Sequence, residues 1–378
     1  MGVNKKGGLV GGFDQLRAPD APAISVAAGG ESVVVTITNP TNTGGGDITG
    51  YAVSALTGPI EDTTFAVTVV SSGGNKYAID GLFATRGLFM GGSNAAGSLY
   101  DTIQYIDIST TGNTSDFGDL TEAKDILNAV AGNATRSIAF GGAPSSGTTN
   151  VIEYVDPTSA GNGQDFGDLP VDDSNAAMAT LANNTRAVYQ RKGGVTIEYV
   201  TIASTGNPSD FGDAVVSRRH GAAGFASTTR GVISGGKDAS SGTNRNQIDY
   251  ITIGSTGNAT DFGDLTVARY SPAGCSNATR GLMLGGEESD YSDVIEYVTI
   301  ASAGNATDFG DLLAGAVDGT ACSSSTRAVF GGGYVTGGTQ NVMQYVTIAS
   351  AGNATDFGDL AAVTYKSGST SVGHGGLS

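Results

Sequence analysis

The chain is organised around the stretch Thr-Arg-Gly-Leu-Met-Leu-Gly-Gly at 279–286, which is followed by Val-Ile-Glu-Tyr-Val-Thr-Ile at 294–300 and Asp-Phe-Gly-Asp-Leu at 308–312. Each of these phrases recurs along most of the chain. The Asp-Phe-Gly-Asp copies begin at intervals of 45 to 51 residues, at Asp116, Asp165, Asp210, Asp261, Asp308 and Asp356. Six copies of one unit at this period predict a repeat architecture.

Each unit predicts four short strands. In the fifth copy, strand A covers 271–276, strand B covers 280–284, strand C covers 294–302 and strand D covers 308–312. A Gly-Gly doublet closes strand B, and a Gly-Asn turn separates strand C from strand D. The 60 glycines, the absence of tryptophan and the lack of helical apolar periodicity predict an all-β chain with almost no helix.

Four strands per unit, a Gly-Gly doublet, a Tyr in strand C and an aromatic residue on strand D resemble the kelch β-propeller blade. The resemblance implies a six-bladed β-propeller over 83–378, with one blade per repeat. Kelch blades usually carry Trp where this chain has Phe, as at Phe309. After the last repeat the stretch 365–371 supplies one more strand A. We expect it to pair with the strand that begins at Arg86 and to close the propeller.

The first 82 residues differ in character from the repeats. Residues 1–17 are Gly-rich and are predicted to be an arm that orders only against a partner. Residues 18–82 contain β-branched runs separated by Gly, Asn and Pro, which predict strands. The phrases Ala-Pro-Asp-Ala-Pro (18–22), Ile-Thr-Gly-Tyr-Ala-Val (48–53) and Tyr-Ala-Ile-Asp-Gly-Leu (77–82) resemble a small fibronectin type III β-sandwich without its usual Trp.

Charge and composition limit the classes of function. A formal charge of −17 argues against a nucleic-acid partner, and the chain has no apolar run of about 20 residues that would predict membrane insertion. Cys275 and Cys322 each precede a repeat Arg by five residues, so they occupy equivalent positions in neighbouring units. We expect buried free thiols, consistent with assembly in a reducing cytoplasm; a disulfide between them is the alternative.

Repetition argues against most of the chemistry that single motifs suggest. A carboxylate pair such as Asp308 and Asp311 recurs in every unit, whereas a catalytic pair is unique in its fold. We interpret these carboxylates as turn caps or as partners of the repeat Arg, with calcium binding as the alternative. The Asn-Ala-Thr triplets are interpreted as turns, not as glycosylation sites. His220 and His374 form no metal constellation. We therefore predict a protein that is not an enzyme and needs no cofactor.

The residues that break the repeat are the most informative. Five units carry Gly-Gly after strand B, but the third has Arg191 and Lys192 there, and the next unit begins with Arg218, Arg219 and His220. The B–C and D–A connections of a four-stranded blade open on the same face, so these five residues are expected to form one basic sector. One interpretation is a local salt-bridge patch. The other is a contact site for an anionic partner, such as a polysaccharide or an acidic capsid or tail surface.

The same predicted face carries the B–C loops, which vary while the strands barely change. The loops cover 93–100, 143–150, 237–246, 287–293 and 334–341. Variation confined to one face of a repeat scaffold is typical of a binding surface. Tyr100, Tyr291 and Tyr334 in these loops are candidate stacking groups for a sugar, because Tyr combines an apolar face with a polar tip.

The near-identical Tyr-Val-Thr-Ile-Ala-Ser-x-Gly-Asn-Ala-Thr-Asp-Phe-Gly-Asp-Leu units cover most of 84–364 and resemble repeats of virion structural and tail-fibre proteins of tailed bacteriophages, marine ones especially. The resemblance implies a non-enzymatic virion protein in multiple copies per particle. Residues 1–82 would dock on other virion proteins, and the propeller loops would contact a host-surface glycan or a virion partner. The alternative is an architectural head-decoration, collar or nozzle component with no receptor role.

Overall fold

The computed structural model describes residues 85–125, 129–170 and 177–377, together with four short strands nearer the N-terminus. Contacts between residues divide the chain into two units, Met1–Leu82 and Phe83–Ser378. The predicted arm (1–17) and most of the predicted sandwich (18–82) lie outside the described residues. The strands described in the first unit form two antiparallel pairs, β1 (Ala23–Gly29) with β2 (Ser32–Thr38) and β3 (Val69–Val70) with β4 (Lys76–Tyr77).

The second unit consists of short strands. In chain order they are β5 (Arg86–Met90), β6 (Thr102–Asp107), β7 (Ser115–Asp119), β8 (Lys124–Asp125), β9 (Val130–Gly132), β10 (Ser137–Pro144), β11 (Thr149–Val155), β12 (Gln164–Asp168), β13 (Ala177–Ala182), β14 (Arg186–Arg191), β15 (Gly194–Thr201), β16 (Ser209–His220), β17 (Ala223–Ala226), β18 (Arg230–Ser234) and β19 (Lys237–Asp238). They continue with β20 (Gln247–Thr252), β21 (Thr260–Asp264), β22 (Ala273–Ser276), β23 (Arg280–Leu284), β24 (Val294–Thr299), β25 (Thr307–Asp311), β26 (Ala316–Val317), β27 (Thr320–Ser323), β28 (Arg327–Gly331), β29 (Tyr334–Val335), β30 (Gly338–Thr339), β31 (Val342–Thr347), β32 (Thr355–Asp359) and β33 (Gly368–Ser371). Within the described ranges the one helical element is a 3₁₀ turn at Gly375–Leu377. The predicted all-β class is confirmed.

Most of these strands form six antiparallel sheets, one for each repeat, with strands at positions A to D. They are sheet 1 (β33, β5, β6, β7), sheet 2 (β9, β10, β11, β12), sheet 3 (β13 to β16), sheet 4 (β17, β18, β20, β21), sheet 5 (β22 to β25) and sheet 6 (β27, β28, β31, β32). Strand A of sheet 1 comes from the C-terminal end of the chain. It pairs with β5, from Gly368 opposite Met90 to Ser371 opposite Gly87. The predicted pairing of this strand with the one that begins at Arg86 is confirmed.

The sheets contact one another in repeat order. The position A strands contact each other in the order β9, β13, β17, β22, β27 and β33, and β33 in turn contacts β9. At the other edge, the Gly-Asn turn of one unit lies against strand D of the preceding unit. The Asp213 main-chain N–H donates to the Asn258 side-chain oxygen at 3.0 Å. The same bond is accepted by Asn162, Asn207, Asn305, Asn353 and, from sheet 1 to sheet 6, Asn113. The order of contacts is therefore cyclic.

The Asn-Ala-Thr triplets shape turns in the way the sequence predicted. Asn133 and Asn277 lie in turns between strands A and B, where the Asn133 side-chain oxygen accepts the N–H groups of Thr135 and Arg136. Asn277 accepts the equivalent two bonds. The triplets between strands C and D instead supply the bonds between sheets described above. The turn interpretation is thus confirmed, with a second role that joins neighbouring units.

Burial explains the residue types of the strands. Strand B lies between neighbouring sheets and is buried along four of its five residues in β23, whereas strand D in β25 fully buries only Phe309. Side-chain sizes match across the contact between sheets. A Cβ added to Gly281 would meet the Phe225 ring of the preceding sheet at 1.8 Å. The Gly after the repeat Arg is therefore required where a large side chain faces it.

Candidate partner-binding face

The repeat Arg and Tyr hold neighbouring sheets together. The Arg280 guanidinium lies 4.7 Å from the centroid of the Tyr297 ring and donates to the carbonyls of Ile348 and Ala349 in the next sheet. The same stacking recurs in the other five units at 4.3 to 4.9 Å. The predicted pairing of the repeat Asp with the repeat Arg is wrong at Arg280, because its guanidinium uses main-chain carbonyls of the next sheet instead.

Among the described residues, three ion pairs are buried between sheets. Arg218 Nη1 lies 2.9 Å from Asp249 Oδ2, and neither side chain is exposed to solvent. Lys124 with Glu153 and Arg269 with Glu296 are the equivalent pairs of other units. Arg218 was predicted to contact a partner at the surface, and that prediction is wrong. The position five residues after the second Asp of the repeat lies inside the contact between two sheets.

The residue before the repeat Tyr varies together with the residue at the inward position, which lies five residues after the second Asp of the preceding repeat. In five of the six units the residue before the repeat Tyr is an acid where the inward position holds a cation, and a glutamine where that position holds Ala316 or Thr364. The acids paired with such a cation are Glu153, Asp249 and Glu296, the glutamines are Gln104 and Gln344, and Glu198 of the remaining unit is an acid although the equivalent residue of the preceding unit is Asp173. Acid and amide make the same bond to the preceding unit: Thr266 N–H donates to Glu296, and Leu313 N–H donates to Gln344. A charge is buried at these positions only where a partner accompanies it.

Part of the predicted basic sector is present. Burial, followed by the charges of Lys237, Arg219 and Lys192, lowers the pKa of the His220 imidazole. Strand pairing sets His220 opposite Lys237. We call Lys192, Arg219, His220 and Lys237 the basic sector. Lys237 was not predicted, although its place directly after the Gly235–Gly236 doublet marks it as a loop residue on the same face.

Arg191 faces a carboxylate of its own sheet. Its Nε lies 3.9 Å from Glu198 Oε2, and the same carboxylate oxygen accepts the Tyr189 hydroxyl at 2.6 Å. The salt-bridge interpretation therefore describes Arg191 and Arg218. The contact-site interpretation stays open for the basic sector.

Tyr270 connects the basic sector to a group of tyrosines. Lys237 Nζ lies 3.8 Å from the centroid of the Tyr270 ring, and the His220 ring lies 6.2 Å away. The Tyr270 hydroxyl donates to the Glu287 carboxylate. Burial, followed by this bond and the charge of Glu287, raises the pKa of the Tyr270 phenol. The phenol therefore stays protonated and acts as a hydrogen-bond donor at neutral pH.

Tyr291, Tyr334 and Tyr365 form a row of half-buried rings. The centroids of Tyr291 and Tyr334 are 5.9 Å apart, and those of Tyr334 and Tyr365 are 5.7 Å apart, with edge-to-face geometry in both pairs. Tyr291 and Tyr334 border an open cleft of about 520 Å³, which Glu287 and Asp290 also line. We call Tyr291, Tyr334, Glu287 and Asp290, together with the adjoining Tyr365, the tyrosine cleft. Two of the predicted stacking residues are thus brought together.

Tyr100 and Tyr365 differ from the prediction in opposite ways. Tyr100 is half-buried; its hydroxyl accepts a bond from Asn94 at 3.0 Å and lies 3.4 Å from the Val363 carbonyl oxygen, away from the cleft lining. Tyr365 was not predicted as a site residue. It follows the second Asp of its repeat by six residues, as Tyr270 does, and that correspondence was a usable signal.

Three residues other than glycine hold left-handed backbone just before strand A. They occupy equivalent positions, at Ser271 (φ 51°), Asp318 (φ 56°) and Lys366 (φ 54°). Burial raises the pKa of the Asp318 carboxyl, while a hydrogen bond from Ser271 and the charge of Lys366 oppose that rise. Such backbone costs about 1–3 kcal/mol per residue and recurs at functional sites. Lys366 also lies over the Tyr365 ring, at 4.8 Å.

The position A strands enclose a small cavity of about 60 Å³. Its lining includes Cys275, Cys322 and His374, whose Nε2 lies 2.8 Å from the Gly132 carbonyl oxygen. Both cysteines are buried and free, as predicted, and burial raises the pKa of Cys275 to about 12. A cavity of this volume holds about two water molecules. It is too small for an organic ligand, so the candidate site lies on the face with the basic sector and the tyrosine cleft.

The described part of the chain was also compared with what a metal site and a membrane-spanning helix require. There, no group of three or more His, Cys, Asp or Glu side chains is placed to hold a metal ion. No helix within those residues has the length and apolar character needed to cross a membrane.

Comparisons with known proteins give information about the fold only. No protein-family model matches the chain, and a search of curated proteins returns no significant match. Among solved structures the chain is similar to one titled "Structure of YjhT", with a TM-score of 0.54 and 11% identity, over 72% of this chain and 97% of that chain. At this identity the likeness supports an all-β arrangement of many small antiparallel sheets and carries nothing about activity.

Proposed function

We propose that residues 83–378 form a six-bladed, kelch-like β-propeller and that the protein acts by binding, not by catalysis. Each of the six sheets would be one blade. The cyclic order of contacts supports this arrangement, since β33 contacts β9 and Asn113 of the first unit reaches strand D of the sixth. The pairing of β33 with β5 supports closure by the C-terminal strand.

One observation carries the binding function. The residues that depart from the repeat gather where the segment after strand D meets the loop after strand B, as His220 meets Lys237 and Tyr270 meets Glu287. The strand residues around these positions are nearly the same in every unit. Side chains that vary on one face of a constant scaffold are typical of a binding surface.

We assign this binding function to the virion of a tailed bacteriophage. Residues 1–82 would dock on other virion proteins, and the divergent face would contact a host-surface glycan or a neighbouring virion protein. The assignment to a virion is based on the resemblance of the repeated phrase, and the assignment to binding is based on the divergent face. The two parts therefore need separate experiments.

The virion assignment is tested by antibody-gold labelling of purified particles, with pre-immune antibody as the control. Label at fibre tips or at the tail end is the expected result and supports contact with the host. Label spread over the head would replace that role with the architectural one. Absence of label from every particle would reject the virion assignment.

The binding function is tested with the double variant Arg219→Ala/Lys237→Ala and purified host envelopes at fixed salt. We expect at least tenfold weaker binding, because an anionic partner loses two nearby charges. The matched control Thr205→Glu/Thr256→Glu makes the same change in net charge in exposed turns between strands C and D, at the opposite ends of the strands. Equal losses in both variants would mean that net charge, not the basic sector, governs binding.

A further inference from the structure

We infer that the tyrosine cleft is a saccharide-binding site that takes neutral or amino-substituted sugars and excludes sugars that carry carboxylate or sulfate groups. This ligand class deepens the proposed binding function, on which it depends. The cleft is a different part of the face from the basic sector, which suits an anionic partner. Variants of the two parts are therefore tested against different ligands.

The geometry of the rings suits a sugar. Tyr334 stands between Tyr291 and Tyr365 with interplanar angles of 71° and 66°, so each ring is held by the edge or face of its neighbour. Rings fixed in this way lose little conformational entropy when a ligand binds. Since all three rings are half-buried, part of each ring still faces solvent. The C–H faces of a pyranose pack against aromatic surface of this kind, while the phenol oxygens meet its hydroxyl groups.

The size and the polar lining of the cleft also suit a saccharide. Its volume of about 520 Å³ lies within the roughly 300–1,000 Å³ of small-molecule sites. Ser289 and Thr336 add hydroxyl groups beside the rings. The Glu287 carboxylate accepts the Tyr270 hydroxyl through Oε2 and is a strong acceptor for ligand O–H groups. A polyhydroxylated ligand thus finds donors and acceptors next to apolar ring surface.

The sign of the charge sets which sugars fit. Glu287 and Asp290 line the cleft beside Tyr291, and the lining includes no basic residue, so the cleft is electronegative. Burial and, after it, the charges of these acids raise the pKa of the Tyr291 phenol. Lys366, at the far end over Tyr365, has a partner in Asp125, 3.9 Å away. A carboxylated or sulfated sugar would bring a like charge against these acids, and such a juxtaposition disfavours binding. An amino group would be attracted instead.

The experiment uses the full chain on a glycan array whose members are grouped as neutral, amino-substituted, carboxylated and sulfated. We expect signal in the first two groups. The strongest ligand is then titrated by calorimetry against wild type, Tyr334→Ala and the control Tyr100→Ala. Tyr334→Ala should weaken binding at least tenfold, whereas Tyr100→Ala, which changes a half-buried tyrosine outside the cleft, should bind as wild type does. Glu287→Gln should raise the signal from carboxylated glycans relative to neutral ones.

Three results would overturn the assignment. They are a preference for carboxylated or sulfated glycans, equal affinity of Tyr334→Ala and wild type, and no glycan signal at all. If the Arg219→Ala/Lys237→Ala variant still loses envelope binding in these cases, the proposed binding function stands and only the saccharide cleft falls. If Tyr334→Ala and Arg219→Ala/Lys237→Ala both bind as wild type does, the proposed binding function of the face is rejected as well.

Discussion

Gly310 and Gly352 touch so closely that the first cannot carry a side chain. A Cβ on Gly310 would lie 2.5 Å from the carbonyl oxygen of Gly352, and Gly310 also has a φ of 147°. The same contact joins the Gly of every Asp-Phe-Gly-Asp phrase to the Gly-Asn turn of the next unit, back to Gly358 on Gly112. The repeated phrase is thus a docking element between sheets, and its recurrence in every unit follows from that role.

The two partners of this contact should respond differently to the same change. Gly310→Ala should lower the free energy of unfolding by about 2–4 kcal/mol, because the new Cβ strikes main chain and the backbone is strained for an L-residue. Gly352→Ala is the matched control, since a Cβ there has nothing within 4 Å. Its effect should stay within about 1 kcal/mol. Urea unfolding of both variants measures the difference, and equal losses would contradict the docking role.

The buried ion pairs predict a compensating double variant. Arg269→Ala should cost about 3–5 kcal/mol of stability, because it leaves the Glu296 carboxylate buried without its cation. Adding Glu296→Gln recreates the combination that the chain already uses at Ala316 and Gln344. The double variant should lose at least about 1 kcal/mol less than the sum of the two single losses, and this difference is the coupling energy of the double-mutant cycle. Additive losses would show that the acid is stabilised by something other than Arg269.

The repeat made the strands predictable, since six similar copies show which residues form strands and which form turns. It also gave the pairing of 368–371 with the strand at Arg86, because the count of strands left one position A unfilled. Strand ends were less accurate: strand C of the fifth unit ends at Thr299 instead of 302. The N–H of Ser302 there turns back to the Thr299 carbonyl.

The charged residues were harder to predict, because a strand sends successive side chains to opposite sides. Arg218 and Arg219 are neighbours in β16, yet Arg218 is buried against Asp249 while Arg219 is partly exposed. In the run of three basic residues at 218–220, Arg218 therefore points inward, although the sequence alone suggests an exposed basic segment. Comparison of that position with the residue before the next repeat Tyr, as in Lys124 with Glu153, would have revealed the pair from sequence.

The cysteines should be inert in the folded protein. Cys275 and Cys322 line a cavity of about 60 Å³ and burial raises the pKa of both thiols, so neither thiolate forms at pH 8. The thiolate is the reactive species. We expect iodoacetamide to label neither residue in the native state and both in urea. Mass spectrometry of the labelled protein measures this. Fast native labelling of either cysteine would mean that the position A strands open to solvent.

Asp318 should make stability depend on pH in a defined direction. Burial raises the pKa of its carboxyl in the folded state above the unfolded value. The ionised form is therefore disfavoured by folding, and the contribution of this group to stability is largest at low pH and is lost as the pH rises through the folded pKa. Asp318→Asn removes the charge, and Asn accepts the left-handed backbone of this position.

This variant should therefore melt at a higher temperature than wild type at pH 7–8. The gain should shrink as the pH falls toward about 4, where an unfolded Asp is half protonated. Asp116→Asn, on the exposed edge of β7, is the control and should show no such trend. Thermal unfolding of the three proteins between pH 4 and pH 8 measures the effect. A variant that is less stable than wild type at pH 7 and equal to it at pH 4 would mean that attraction to Lys366 outweighs burial at this carboxyl.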